Sequence, residues 1–345
     1  MKHKLALIGF GTVGQGLCEI LISKSEKLQA NYGFEWEVVA VSDMLKGSVY
    51  SPDGLNVKKL LSLAESGTSL EQYDGGAEKG WDALKTIRES NADIVCEMAY
   101  TDIKTAQPST DHCRAAFETG KHVVTCNKGP AALFYRELSE LARKNGVRFM
   151  IEGTVMSGTP VINLARNTLA GNEITAIRGI LNGTTNFILT NMEAGRAYED
   201  VLAEAQKLGY AEADPTADVG GFDALAKVTI LANVLMGENV KPDDIPCEGI
   251  TQINLDDIEK ARSEGKRWKL IGELKKEGGK FTASVAPMMI DLSHPLAGVM
   301  GAVNAVTFTT DLMGDVTVNG PGAGRTETGY SILIDILEIH NGTKE

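Results

Sequence analysis

Four residues into the chain, LALIGF leads into GTVGQGL: an apolar β-rich run, then Gly9, Gly11 and Gly14 at GxGxxG spacing, then a helix with apolar periodicity. Few folds accept a strand, a tight glycine turn and a helix in that order. Glycine lets the backbone turn sharply, lets its N–H groups approach a pyrophosphate and lets the helix pack close to the strand, while the helix N-terminus favours the anion. The spacing predicts a dinucleotide site with Gly9, Gly11, Thr12, Val13 and Gly14 at the pyrophosphate.

The pattern continues as such a site requires. Residues 4–151 alternate short β-rich runs (LALIG, WEVVAVSD, ADIVCEMA, HVVTCN, VRFMIEG) with helical patterns, which implies a doubly wound, Rossmann-type parallel sheet with helices on both faces. Residues 46–80, rich in Gly, Ser, Asp and Lys, are expected as an excursion of loop and short helix (VKKLLSLAES). The second β-run ends in Asp43, where a carboxylate would bind the adenosine ribose and repel a 2′-phosphate. NAD is therefore favoured over NADP, although Lys46, Lys58 and Lys59 could reach a phosphate. Ala99 and Asn127 follow later strands and are expected to line the same crevice.

After about Glu152 the pattern changes to long helical stretches among isolated strands such as TAIRGILN, FTASVAPMMI and NAVTFTT, which fits an α+β catalytic and dimerisation domain. The expected division is residues 1–151 for the dinucleotide domain, 152–318 for the substrate domain, and 319–345 for a glycine turn and helix returning to the first. A net charge of −12 without a dense basic run argues against nucleic acid and acidic membrane as partners. Five scattered cysteines, none in a CxxC pair, suggest neither a disulfide framework nor a zinc site and fit a reducing cytoplasm. The first strand is too short and too soon broken by glycine to be a signal peptide or membrane span, so the sequons at Asn182 and Asn341 carry no meaning.

The densest chemistry lies in residues 205–227, AQKLGYAEADPTADVGGFDALAK. Asp223 and Lys227, four apart, share one face of a helix whose neighbours are almost all apolar. Such a pair is either a solvated surface ion pair or a buried lysine beside a carboxylate, whose ammonium can titrate away from its usual range. Dehydrogenating an alcohol needs a proton acceptor, and none of the histidines is placed as an obvious base. Lysine is then the candidate, and a second lysine, Lys128 of HVVTCNKGP, stands at a predicted strand end.

This stretch resembles the signature of homoserine dehydrogenases: Ala205, Gly209, Tyr210, Asp214, Pro215, Asp218, Gly220, Asp223 and Lys227 fill every position of it. TCNKGP resembles the loop whose lysine points toward the nicotinamide. The resemblance covers residue 5 to about residue 340 and implies a short form, with no regulatory module following and no kinase domain preceding. It implies NAD(P)-dependent interconversion of L-homoserine and L-aspartate 4-semialdehyde, on the route to threonine, methionine and isoleucine, by a homodimer.

In that scheme Lys227 is the leading acid/base, Lys128 assists transfer or positions substrate, and Asp223 orients Lys227 or binds the substrate ammonium with Glu212 and Asp218. An amino-acid substrate accounts for these carboxylates, whereas a 2-hydroxy acid would call for an arginine clamp, and none occurs in residues 205–227. LNGTTNFIL matches a substrate-contacting turn through Asn182 and Thr184, although helix capping alone would also use them. EGTVMSGTP resembles a loop that carries Na+ or K+ in some members, through Glu152 and the carbonyls of Val155, Ser157 and Thr159. GPGAG would bring the backbone at Gly322 to the nicotinamide. The sequence departs from the pattern after those glycines, where Glu327 and Tyr330 replace small residues. That departure leaves room for a paralogue acting on a related amino- or hydroxy-substituted alcohol. A silent dinucleotide-binding regulator is a further alternative, with no use for both lysines.

Overall fold

The computed structural model describes residues 2–102 and 104–342. The chain forms two compact units, one running to Gly158 and resuming at Gly324, the other spanning Thr159–Ala323. The divisions thus fall a few residues later than 151/152 and 318/319.

In the first unit the apolar run of residues 5–8 becomes β1 (Lys2–Ile8), and the glycine turn opens α1 (Thr12–Tyr32). Then come β2 (Glu35–Asp43), β3 (Gly47–Tyr50), α2 (Val57–Glu65), β4 (Glu78–Lys79), α3 (Ala83–Glu89), β5 (Ile94–Glu97), α4 (Ser109–Glu118) and β6 (His122–Thr125). α5 (Lys128–Leu133), α6 (Tyr135–Lys144) and β7 (Phe149–Met150) complete the run. The strands lie in the order β4-β3-β2-β1-β5-β6-β7, with β2, β1, β5, β6 and β7 parallel. The order reverses direction at β1, so the crevice of such a sheet lies past the C-terminal ends of β1 and β5.

The sheet is not wholly parallel. The expected excursion does hold a short helix, α2, but it also adds β3 and β4 as antiparallel edge strands. After Asp43 the chain reverses through three residues into Gly47, which sits at φ 86°. A three-residue hairpin ending in a left-handed glycine is a standard antiparallel turn, and here it keeps the chain at the rim of the crevice.

The last helix (Arg325–Gly342) belongs to this unit and packs along α1. A Cβ on Gly16 would lie 2.3 Å from the Arg325 carbonyl oxygen, and one on Gly329 would lie 2.6 Å from the Leu17 nitrogen, so paired glycines permit the approach. Ile332, Leu333, Ile336 and Ile339 enter the same core as Leu5, Leu7, Leu17, Leu21 and Val38. At about 1.5–3 kcal/mol for each large aliphatic side chain, these four are a substantial part of the unit's stability. Near the end of the helix His340 Nδ1 lies 2.9 Å from His3 Nε2, and its Nε2 lies 3.1 Å from the Tyr32 carbonyl oxygen. With both rings neutral, each can donate one proton along the chain from His3 to His340 to Tyr32.

The second unit begins with a π-helical turn at Leu164–Thr168. It continues with β8 (Ile174–Ile180), α7 (Gly183–Met192), α8 (Tyr198–Lys207), α9 (Thr216–Val219), α10 (Phe222–Leu235) and α11 (Leu255–Ser263). It closes with β9 (Lys266–Glu277), β10 (Lys280–Asp291), β11 (Val303–Thr310) and β12 (Gly314–Pro321). These five strands form one antiparallel sheet in the order β10-β9-β8-β11-β12. α10 lies against β9 at Gly272, where a Cβ would come 2.6 Å from a Val228 methyl group. Nine of the fourteen residues of α10 are buried, Lys227 among them. The helix is apolar nearly all round because it is interior, and its lysine therefore needs partners.

Candidate active site

In the first unit the glycine turn is forced by close packing. Gly9 has φ 95°, and a Cβ there would sit 2.5 Å from the Met98 carbonyl oxygen and 2.7 Å from the Ala99 nitrogen, at the end of β5. A Cβ on Gly14 would meet the Gly9 carbonyl oxygen at 2.7 Å, whereas one on Gly11 would meet nothing within 4 Å. Gly11 precedes Thr12 and Val13 at the head of α1, where no side chain caps the helix and its first turn holds no acidic residue. The leading amides are therefore available to an anion.

Asp43 closes the other side of the turn. Its Oδ2 accepts the Phe10 N–H at 2.7 Å, and its Oδ1 accepts the N–H groups of Leu45 and Lys46 at 3.0 and 2.9 Å. Burial raises its pKa, but these amides outweigh that and hold it below the ordinary aspartate value. A cavity of ≈ 510 Å³ opens beside it, walled by Gly9, Asp43, Glu71, Trp81, Asp82 and Ala99 among others, with no lysine or arginine among the described residues that line it. Trp81 stacks on Tyr50 with centroids 4.5 Å apart. The exposed Met44, Leu45 and Tyr100 stand at the rim. Sequence reasoning missed these apolar walls, and their one local signal was a Met-Leu pair directly after Asp43.

Of the three lysines considered for a 2′-phosphate, Lys59 pairs with Asp74 and Lys58 lines a different hollow with Trp36 and Glu37. Lys46 contributes its backbone N–H to Asp43.

Asn127 and Lys128 follow β6, Asn127 as the residue before α5 and Lys128 as its first residue. A cation at the positive end of a helix opposes the macrodipole, and such local conflicts concentrate at functional positions. Behind them is a carboxylate that sequence reasoning did not single out. Glu97 is fully buried and accepts from Ser109 Oγ at 3.0 Å, His112 Nδ1 at 3.1 Å and the Asn127 amide, with the Thr125 hydroxyl 3.3 Å away.

The loop with hard oxygens is strongly bent. Met156 and Ser157 have φ of 57° and 55°, and the Glu152 side chain is buried beside Asp335, whose carboxylate accepts the Glu152 N–H at 2.9 Å. Glu152, Val155 and Ser157 belong to the first unit. Thr159 begins the second, and its hydroxyl donates to the Pro321 carbonyl at 3.0 Å. The atypical Glu327 lies in the first turn of the last helix and folds back over Gly324, with a carboxylate oxygen 2.0 Å from where a Cβ would stand. Tyr330 is partly exposed on the same helix.

In the second unit one polar knot gathers most of the expected substrate residues. Lys227, 6% exposed, donates to the Leu181 carbonyl at 2.6 Å and to Asp223 Oδ2 at 2.8 Å. The surface-ion-pair alternative is thereby removed. Asn182 donates to Asp218 Oδ1 at 2.7 Å and to Asp223 Oδ2 at 2.9 Å, while its own Oδ1 accepts the Thr185 N–H at 2.8 Å. It therefore caps α7 and clamps two carboxylates at once. Thr184 donates its hydroxyl to the Tyr210 carbonyl at 2.6 Å, which leaves that oxygen as an acceptor. Glu212 is exposed in the turn between α8 and α9, and the structure does not draw it into the knot. Gly322, just past β12, packs against Asn304, whose amide nitrogen would lie 2.4 Å from a Cβ.

The first unit thus has a glycine turn, an uncapped helix end and an acid-walled cavity, and the second has a buried lysine among carboxylates. These are the features of a dinucleotide-dependent oxidoreductase. The comparisons give the particular family. The family model for the homoserine dehydrogenase NAD-binding domain matches residues 9–152, and the homoserine dehydrogenase model matches residues 160–337. The chain is 48% identical over 342 residues to an NAD(+)-dependent homoserine dehydrogenase from Pseudomonas canavaninivorans, covering 98% of this chain and 96% of that one. It is 43% identical to the homoserine dehydrogenase of Methanocaldococcus jannaschii, covering 99% of each. A hyperthermophilic archaeal homoserine dehydrogenase mutant solved in complex with NADPH superposes with a TM-score of 0.84 at 32% identity, covering 100% of this chain and 99% of that one. The chain belongs to the homoserine dehydrogenase family of NAD(P)-dependent oxidoreductases.

Proposed function

We propose that this chain interconverts L-homoserine and L-aspartate 4-semialdehyde with NAD in preference to NADP, using Lys227 as the acid/base. The observation that carries the chemistry is the bonding of Lys227. An ammonium has three donors, and the Leu181 carbonyl and Asp223 take two of them. The third is left for a substrate oxygen. In the reducing direction Lys227 gives its proton to the aldehyde oxygen, and in the oxidising direction the neutral amine takes the hydroxyl proton. When bound, the nicotinamide supplies or accepts the hydride.

Asp218 and Asp223, held side by side by Asn182, receive the substrate ammonium through charge-assisted hydrogen bonds. Asn182 serves as their clamp, since both of its N–H donors are engaged. Thr184 offers an acceptor, and Glu212, exposed on its turn, adds a further carboxylate toward the amino group. Lys128 assists the transfer or positions substrate.

The preference for NAD is supported by the carboxylates of Asp43, Glu71 and Asp82 around a cavity that no lysine or arginine lines among the described residues. Glycines 9, 11 and 14 with Thr12 and Val13 would hold the pyrophosphate, and Ala99, Asn127 and the backbone at Gly322 the nicotinamide. The hard oxygens of Glu152, Val155 and Ser157, with Thr159, suit Na+ or K+ in chemistry. The reading includes a cytoplasmic homodimer built on the five-stranded sheet, whose edge strand β12 exposes alternate residues. The test is formation of reduced dinucleotide from L-homoserine with NAD and, separately, NADP at alkaline pH. Reduction with NAD well above NADP is expected, and no turnover with either, in protein that binds the dinucleotide, would reject the substrate assignment.

A further inference from the structure

Glu97 ends a strand that is otherwise apolar, and it is completely buried. Burying a carboxylate costs several kcal/mol unless hydrogen bonds compensate. Four side chains converge on it, from α4 (Ser109 and His112), from β6 (Thr125) and from the residue heading α5 (Asn127). The sheet does not require this arrangement, because β5 and β6 are already joined by their ladder, with Glu97 opposite Thr125. The side chain instead binds His112 on α4 and the Asn127 amide ahead of α5.

Two of its partners face the dinucleotide region. His112 lines the cavity beside Asp43. Asn127 stands past β6, on the β5–β6 side of the reversal point. In a doubly wound sheet that is the side opposite the adenosine, where the nicotinamide lies.

Resting on the reading of this unit as the cofactor unit, we propose that Glu97 is a positioning residue: it fixes the orientation of the Asn127 amide so that Asn127 Oδ1 accepts from the nicotinamide carboxamide N–H. The bonding sets the orientation. The Asn127 amide nitrogen lies against Glu97 Oε2, against the Ala99 carbonyl oxygen at 2.8 Å and against Ser109 Oγ at 3.1 Å. A carboxylate and a carbonyl can only accept, so the NH2 side of Asn127 must face them and Oδ1 must face away. The Asn127 backbone N–H is held in turn by the Thr125 hydroxyl at 3.0 Å, and that hydroxyl donates to the Glu97 carbonyl at 2.8 Å. Both the backbone and the side chain of Asn127 are thus referred to one residue of β5. A glutamine at position 97 could turn its own NH2 toward Asn127, which sets that donor against the Ala99 carbonyl in deciding how the amide is oriented.

The test is titration of the whole protein, by fluorescence, with reduced NAD and with the reduced 3-acetylpyridine analogue, whose acetyl group has no N–H. Glu97→Gln should weaken reduced NAD about three- to tenfold, the range for one net hydrogen bond, and leave the analogue within about twofold. Asn127→Ala should do the same, and the double variant should be no worse than Asn127→Ala alone. Equal weakening of both ligands, or additive effects in the double variant, would overturn the proposal. If Glu97→Gln does not fold, Asn127→Ala decides alone: unchanged discrimination between the ligands rejects the proposal. Failure of the unsubstituted protein to bind either ligand would reject the cofactor reading, and this inference with it.

Discussion

Asp43→Asn probes the cofactor cavity most directly. The carboxylate stands at the end of β2, where the adenosine ribose is expected, and Glu71 and Asp82 share its wall. A 2′-phosphate carries about −1.5 to −2 charges. At about 5 Å, with an effective dielectric of about 40 for a half-open site, removing one negative charge lowers the repulsion by roughly 2–3 kcal/mol. That is on the order of 30- to 150-fold in favour of NADP. The same change weakens the bond to the ribose hydroxyls of NAD by about 1 kcal/mol, or roughly fivefold. The ratio of kcat/KM for NAD to that for NADP, at saturating L-homoserine, should therefore fall by two to three orders of magnitude. Stability also falls, because the new amide must point its NH2 at the N–H of Phe10 or at those of Leu45 and Lys46. An unsatisfied donor costs about 1–3 kcal/mol, seen as a Tm lower by several degrees. A cofactor ratio that stays within about threefold would refute the argument that Asp43 selects against the phosphate.

Other expectations are equally accessible. Lys227→Ala should lower kcat by at least about 10³ while dinucleotide affinity stays nearly unchanged, and a variant retaining a tenth of the activity would exclude Lys227 as the acid/base. Gly9→Ala should destabilise the first unit and Gly11→Ala should not, since only the former places its Cβ against backbone, at 2.5 Å from Met98; thermal melts with dinucleotide titrations check the pair, and Gly11→Ala should lose affinity alone. Burial, and then the neighbouring His340, lower the pKa of His3 in the fold. The unfolded chain then binds the extra proton first, so stability is full above the unfolded value of about 6.5 and declines as pH falls below it; a His3→Gln variant with an unchanged slope of Tm against pH would exclude this contribution. Lys269, fully buried between Asn186 Oδ1 and the Val299 carbonyl, is pushed down by burial to about 8. Its fold binds fewer protons than the unfolded chain between about pH 8 and its ordinary value, so stability should rise across that window. Denaturant melts of Lys269→Met should lack that rise.

The parts of the molecule that could be read from sequence are those set by local chemistry. The glycine turn, the pairing of Asp223 with Lys227 and the α/β-to-α+β change are all written in short spacings. The β3–β4 extension was not, because Met44, Leu45 and Lys46 carry no turn-type residue before Gly47. β9 was equally hidden, since KRWKLIGELKKE interleaves charge and apolar residues without declaring which face is buried. The third partner in the lysine knot, the Leu181 carbonyl, lies 46 residues away and belongs to the backbone, so no residue type announces it. Glu97 was passed over for the opposite reason: a single carboxylate ending an apolar strand looks like a surface residue until α4 and Asn127 are folded over it.

The last helix places the end of the described chain in the core begun by β1, whereas Thr159–Ala323 is contiguous. During synthesis the later unit is therefore finished first. The dinucleotide unit emerges with an apolar groove along α1, and that groove stays uncovered until Ile332–Ile339 leave the ribosome. A nascent chain stalled anywhere in the second unit would expose this groove to chaperones, and loss of the final helix would impair cofactor binding more than the integrity of the unit that carries Lys227.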